Sequence, residues 1–136
     1  MGGDPFERCN QIALLPLVKR VKERYPEKSI WCYTGYDFEK DVLGYMVDEW
    51  EATAELISYI DVLVDGEFVL EKKNLKLAFR GSSNQRIILV QETLESGTLC
   101  LWHSEHEKEI MTKEKQYFVI NLSGKYGRKK SVKQIL

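Results

Sequence analysis

Ser29-Ile30-Trp31-Cys32-Tyr33-Thr34-Gly35 and Ile60-Asp61-Val62-Leu63-Val64-Asp65-Gly66 decide the fold class. Each is a short, nearly continuous apolar run stopped by a glycine, the pattern of a strand buried on both faces. Between them, from about Glu49 to Tyr59, Trp50, Ala54 and Ile57 recur at helical spacing with Leu56 beside them. Strand, helix, strand in that order predicts parallel neighbours joined by a right-handed crossover, and hence an α/β fold.

Working outward, Pro16 suits the first turn of a helix, where its missing N–H costs nothing. Leu17, Val18, Val21 and Tyr25 follow at helical spacing until Pro26, which predicts a helix over Leu15 to Arg24. Beyond Gly66 the pattern shortens. Phe68 to Glu71, Leu75 to Phe79, Arg86 to Val90 and Thr98 to Trp102 read as short strands, with one helical turn from Gln91 to Glu95 that stops at Gly97. Glu105 to Glu114 is strongly charged, Gln116 to Leu122 is a last strand candidate, and the tail carries Lys125, Arg128, Lys129, Lys130 and Lys133 without an acid among them.

Length and composition set limits on these elements. A chain of 136 residues has room for one domain and a buried core, and 43% hydrophobic residues exclude a disordered polymer. No apolar run reaches the roughly 20 residues that cross a bilayer, and the N-terminus shows no secretory pattern. Twenty basic against twenty-one acidic residues leave a net charge of -1, which gives the whole molecule no electrostatic reason to seek nucleic acid or a membrane. Cys9, Cys32 and Cys100 lie too far apart for a disulfide framework or a local metal motif, so a reducing, cytoplasmic setting is expected. Cys9 should fall just before the first helix and Cys32 inside a strand, both as small apolar side chains.

Four stretches could carry chemistry. Gly2-Gly3-Asp4-Pro5 places two glycines and an acid before a helix, where backbone can approach a polar ligand closely, although terminal glycines are also common frayed ends. Thr34-Gly35 and Asp65-Gly66 each follow a predicted parallel strand, and ligands of α/β sheets gather at that end; the plain alternative is a turn. Arg80-Gly81-Ser82-Ser83-Asn84-Gln85-Arg86 offers guanidinium, hydroxyl and amide groups for carboxylate, phosphate or ribose, or else a solvated connection. His103 and His106 have helical spacing but no third ligand, so a solvated charged segment is expected there, as is a solubilising role for the basic tail.

The order of these motifs adds a further indication. Gly2-Gly3-Asp4-Pro5-Phe6, Tyr25-Pro26-x-Lys28-x-Ile30-Trp31-x-Tyr33-Thr34-Gly35-Tyr36-x-x-Glu39, Ile60 to Phe68, and Arg80 to Ile88 together resemble the family of anaerobic ribonucleoside-triphosphate reductase activases. These are radical S-adenosylmethionine enzymes. The resemblance runs from residue 2 to about Trp102. It implies residues 1–102 as the C-terminal half of a partial radical S-adenosylmethionine β/α barrel with a short β extension; beyond Trp102 the resemblance fades, and residues 103–136 are a charged, basic extension of unknown structure. It also implies S-adenosylmethionine as cofactor, a [4Fe-4S] cluster in the family, and the reductase as partner. By the same resemblance Gly2, Gly3 and Asp4 would receive the amino-acid end of S-adenosylmethionine, Thr34 and Asp65 would line the same rim, and Asn84, Gln85 and Arg86 would serve that rim or the reductase contact.

The sequence departs from the family pattern in one respect. There, Cys-x-x-x-Cys-x-x-Cys holds the cluster and precedes the glycine-rich segment, whereas Cys9, Cys32 and Cys100 have neither that spacing nor those positions. The expectation is a chain that is inactive alone, with no catalytic or metal-ligating residue of its own, and a sheet whose open edge a separate chain carrying the missing part could cover. The alternatives are a non-catalytic reductase- or nucleotide-binding module, or a split or truncated gene product.

Overall fold

The computed structural model describes residues 3–75, 77, 79–102, 117–120 and 133–134, the last two segments by their backbone. Helix α1 spans Arg8–Arg24 and leads into strand β1, Ser29–Tyr33. A π-helix, Phe38–Met46, runs on into a short α turn, α2 (Val47–Glu49), and is followed by α3, Glu51–Ser58. Strand β2 (Val62–Asp65), a 3₁₀ turn (Leu70–Lys72), strand β3 (Arg86–Leu89) and helix α4 (Val90–Ser96) come next. Strands β4 (Tyr117–Ile120) and β5 (Lys133–Gln134) complete the described elements. The sheet order is β3-β2-β1-β4-β5, with β3 antiparallel to β2 and the other pairs parallel.

The parallel β1–β2 pair joined through helices is as the sequence predicts, and the fold is α/β. The strands alternate their side chains between two apolar layers. Ile30, Cys32, Leu63 and Ile88 face the helices, packing with Leu14 and Val18 of α1, Phe38, Val42 and Met46 of the π-helix, and Leu56 and Ile57 of α3. Trp31, Tyr33, Val62, Val64 and Ile87 face the other way, under Phe68, Phe79 and Trp102. That second face has no helical cover among the described residues. It is closed by the β2–β3 connection, where the Tyr33 hydroxyl donates to the Phe79 carbonyl at 2.6 Å.

Several local readings need correction. Helix α1 begins seven residues before Leu15, so Pro16 lies inside it rather than in its first turn. Pro16 is on the exposed side of α1. There the carbonyl it leaves unpaired can turn to water, and burial of Gln11, Leu14 and Val18 opposes a penalty of about 3 kcal/mol. Phe68 to Glu71 is not a strand; its end forms the 3₁₀ turn. No strand forms over Leu75 to Phe79 among the described residues there, and Thr98 to Trp102 contributes a single bridge, Leu101 to Ile88. Phe68 and Phe79 lie over a sheet face, whereas residues 100–102 run beside β3, the Leu89 N–H donating to the Cys100 carbonyl at 2.9 Å and the Trp102 N–H to the Ile87 carbonyl at 2.8 Å. Helix α4 does stop at Gly97, which takes φ +72°.

The sheet was expected to keep an open edge; in the structure β4 pairs with β1, in the register Ser29↔Tyr117, Ile30↔Phe118, Trp31↔Val119 and Cys32↔Ile120. The charged stretch, both histidines and, apart from the backbone of Lys133, the basic tail lie outside the described residues. No helix among the described residues is long and apolar enough to cross a membrane.

Candidate functional site

Parallel strands β1 and β2 end on the same side of the sheet, and antiparallel β3 begins there, so Thr34, Asp65 and Arg86 meet on one rim. The Thr34 N–H donates to the Val64 carbonyl at 2.9 Å and continues the ladder one residue past β1. The Gly66 N–H donates to the Tyr36 carbonyl at 3.2 Å and ties the two post-strand loops together. Gly66 has φ +97°, a conformation that favours glycine.

The N-terminal segment is bound to this rim by one side chain. Asp4 Oδ1 accepts from the Thr34 hydroxyl at 2.6 Å and from the Phe6 N–H at 2.9 Å, while Oδ2 accepts from the Gly35 N–H at 2.6 Å. The Phe6 contact is the local turn that aspartate makes with the backbone two residues on. Phe6 is then fully buried, and Gln11 donates to its carbonyl at 2.8 Å, which fixes where α1 starts. Gly3, at φ +78°, is exposed beside this anchor. Gly2 lies outside the described residues.

The second cluster centres on Arg86, which the antiparallel register places opposite Asp65. Its Nε and Nη2 donate to the two carboxylate oxygens of Asp65 at 3.0 and 2.7 Å. Nη1 donates to Glu39 at 2.7 Å, and Asp37 is 3.7 Å from Nη2. Asp65 is only 1% exposed and also accepts from the Phe38 N–H at 2.8 Å. The Asp65 hydrogen bond raises the Arg86 pKa further, against burial, with Glu39 adding to it. The guanidinium therefore stays charged at any ordinary pH and joins the end of β2 to the start of the π-helix.

Asn84 and Gln85 bind their own loop. Gln85 is fully buried; its Oε1 accepts from the N–H groups of Gly81 and Ser82, and its Nε2 donates to the Gly66 carbonyl at 3.0 Å. Asn84 accepts from the Ser82 hydroxyl at 2.7 Å and donates to the Glu67 carbonyl at 2.8 Å. The structure thus brings Gly3, Asp4 and Thr34 into one cluster and Asp65, Gln85 and Arg86 into an adjoining one, with Asn84 behind the second. Their polar side-chain atoms mostly hold the rim rather than project from it.

Reading the strand ends alone overlooked the π-helix and its acids. Asp37 accepts from the Lys40 N–H at 2.8 Å and Asp41 accepts from the Asp37 N–H at 2.8 Å, a reciprocal start to the helix. Gly44 fits the wide turn, since a Cβ there would meet the Glu39 carbonyl at 3.1 Å. The available signal was Asp37 and Asp41 flanking Phe38, with Val42 and Met46 following at intervals of four. Tyr36 donates to Glu7 at 2.8 Å, and burial followed by that bond raises its phenol pKa, so it remains a donor.

The cysteines do not form a cluster site. Cys32 is 1% exposed within the helix-side core, and burial, followed by the charge of Asp4, raises its thiol pKa well above the ordinary value. Cys9 sits inside α1, not before it as expected, and is exposed. Cys100 follows α4, where its thiol donates to the Thr98 carbonyl at 3.3 Å. Among the described residues no three His, Cys, Asp or Glu side chains could hold a metal together. Iodoacetamide should therefore label Cys9 rapidly in the folded protein and Cys32 only on unfolding, as read by peptide mass analysis. Because the folded state holds the Cys32 proton more tightly, stability should fall as pH rises from the ordinary thiol value toward the raised one.

Residues 1–88 match the sequence model of the 4Fe-4S single cluster domain. The chain belongs to that family. It is 46% identical over 86 residues to the anaerobic ribonucleoside-triphosphate reductase-activating protein of Vibrio cholerae, covering 63% of this chain and 50% of that protein. The proteins of the same name from Haemophilus influenzae and Enterobacteria phage T4 are both 42% identical, over 86 and 88 residues, covering 63% of this chain and 50% and 48% of theirs. The resemblance read from the ordered motifs is to these same activating proteins. The chain spans about half the length of the curated relatives it matches. No solved structure matches it.

Proposed function

We propose that this chain is the S-adenosylmethionine-side part of a radical S-adenosylmethionine activase for anaerobic ribonucleoside-triphosphate reductase. One observation carries the reading: Asp4 and Arg86 draw segments around residues 3, 35, 65 and 86 into a single rim at the strand ends. Ligands of α/β sheets bind at such rims. The identity to activating proteins over the same stretch supports it.

On this reading residues 1–102 form the C-terminal half of a partial β/α barrel, and residues 103–136 are an extension that adds strands to its edge. Gly2 and Gly3 present backbone to the amino-acid end of S-adenosylmethionine. Asp4 and Thr34 hold that backbone in place, while Asp65, Asn84, Gln85 and Arg86 brace the neighbouring loops. S-adenosylmethionine supplies the radical chemistry, and the chain's part is to orient it.

A [4Fe-4S] cluster needs thiolates converging on one point, and the three cysteines of this sequence do not supply them. No reaction step is therefore assigned to this chain alone. The cluster loop would come from outside residues 1–136, the complete assembly acts on the reductase, and its setting is the reducing cytoplasm. The test mixes this chain with a polypeptide carrying Cys-x-x-x-Cys-x-x-Cys under anaerobic conditions with reductant, and measures 5′-deoxyadenosine. Product from the mixture and from neither component alone is expected. A cluster-loaded mixture that makes none would contradict the reading.

A further inference from the structure

Glu7 is the N-cap residue of α1, yet its side chain makes no cap hydrogen bond. An N-cap position ordinarily carries a short acceptor that turns back onto its own helix. Glu7 instead reaches a loop twenty-nine residues away in sequence, where its Oε1 accepts from the Tyr36 hydroxyl at 2.8 Å. A local rule broken in this way points to a use elsewhere in the fold.

Three segments of the rim meet on Tyr36. Its N–H donates to the Thr34 hydroxyl oxygen at 3.1 Å, that hydroxyl donates to Asp4, and its carbonyl accepts from the Gly66 N–H at 3.2 Å. Its ring packs against the helix-side core, which limits how far the hydroxyl can swing. Asp4 and Glu7 are therefore fastened to consecutive positions of the loop after β1, Asp4 to Thr34 and Gly35, and Glu7 to Tyr36. The turn between them is closed by the Glu7 N–H, which donates to the Asp4 carbonyl at 3.0 Å. One fastening fixes a point and leaves the segment free to pivot about it, whereas two fix its direction. Gly3 is exposed and enters this turn at φ +78°, so the direction of its backbone follows from that of the turn.

We propose that Tyr36 and Glu7 are positioning residues that aim the backbone of Gly3 and Asp4 across the rim. The Asp4 carboxylate holds the segment down, and the Tyr36–Glu7 strut sets its angle. Neither strut residue touches the ligand; they act through the turn they hold. That the backbone so aimed receives the amino-acid end of S-adenosylmethionine rests on the proposed function; the strut does not.

Amide exchange on the full-length chain, resolved by NMR, tests the strut without cofactor. Tyr36→Phe keeps the ring and removes only the hydroxyl. It should lower the protection of the Phe6 and Glu7 amides about fivefold and leave that of Thr34, which pairs with Val64, unchanged. Glu7→Ala should do the same, the double variant should add nothing to either, and Glu7→Gln, which keeps an acceptor oxygen, should recover most of the loss. Unchanged protection of Phe6 and Glu7 in Tyr36→Phe would overturn the proposal. Equilibrium dialysis of S-adenosylmethionine gives the second readout: Tyr36→Phe and Glu7→Ala should each raise its Kd about fivefold, with Glu7→Gln close to the unmodified chain. Binding to the unmodified chain with no loss in either variant would overturn the positioning role. No binding to the unmodified chain, with the exchange pattern as expected, would count against the proposed function and uphold the strut.

Discussion

Replacing Arg86 with alanine should destabilise the fold by about 3 kcal/mol, the low end for breaking a buried ion pair because the guanidinium is partly exposed. The loss comes from Asp65. With Arg86 gone, a carboxylate whose side chain is 2% exposed keeps only the Phe38 N–H. In urea unfolding this should lower the midpoint by about 1–2 M for a domain of this size. Arg86→Lys should recover only part of the loss, since an ammonium cannot donate along two parallel lines to Asp65 and reach Glu39 as well. The double variant Asp65→Asn, Arg86→Met should be more stable than Arg86→Ala, because it leaves no buried charge unpaired. If Arg86→Ala unfolded at the same midpoint as the unmodified chain, the clasp would have no structural weight.

Replacing Asp4 with alanine should cost about 2–3 kcal/mol, since the Thr34 hydroxyl and the Gly35 and Phe6 N–H groups lose a charged acceptor together. The damage should be local. Amides at the start of α1 should lose protection while those of β2 keep theirs, as exchange measurements would show. Thr34→Val removes one of these donors and should cost about 1 kcal/mol. S-adenosylmethionine affinity should fall with Asp4→Ala in proportion to that loosening. A large fall in affinity in Asp4→Asn with stability preserved would instead mean that the carboxylate contacts the cofactor directly.

The two strands that define the sheet were legible because each is apolar on both faces and ends in glycine, a pattern with few other uses. The rim was legible for the same reason, since Thr34 and Asp65 follow from where the strands stop. What those residues do was not legible. Residue types alone cannot separate an aspartate that faces a ligand from one whose three acceptor positions are taken by neighbours up to thirty-one residues away. The start of α1 was hidden by Pro16, whose penalty is outweighed by burial that only the folded chain reveals. The π-helix was hidden because its apolar residues recur every four positions, near enough to α spacing to give no distinct signal. Pairing of β1 with Tyr117–Ile120 joins segments more than eighty residues apart, and local pattern carries no information about which edge a late strand will fill.

The proposed function needs a cofactor rim from this chain and sulfur donors from outside residues 1–136. Anaerobic reconstitution of the purified chain with iron and sulfide, followed by iron analysis and visible absorption, tests it most directly. The account predicts at most sub-stoichiometric iron and no broad charge-transfer band from the chain by itself. One full [4Fe-4S] cluster per chain, bound without any other polypeptide, would contradict it.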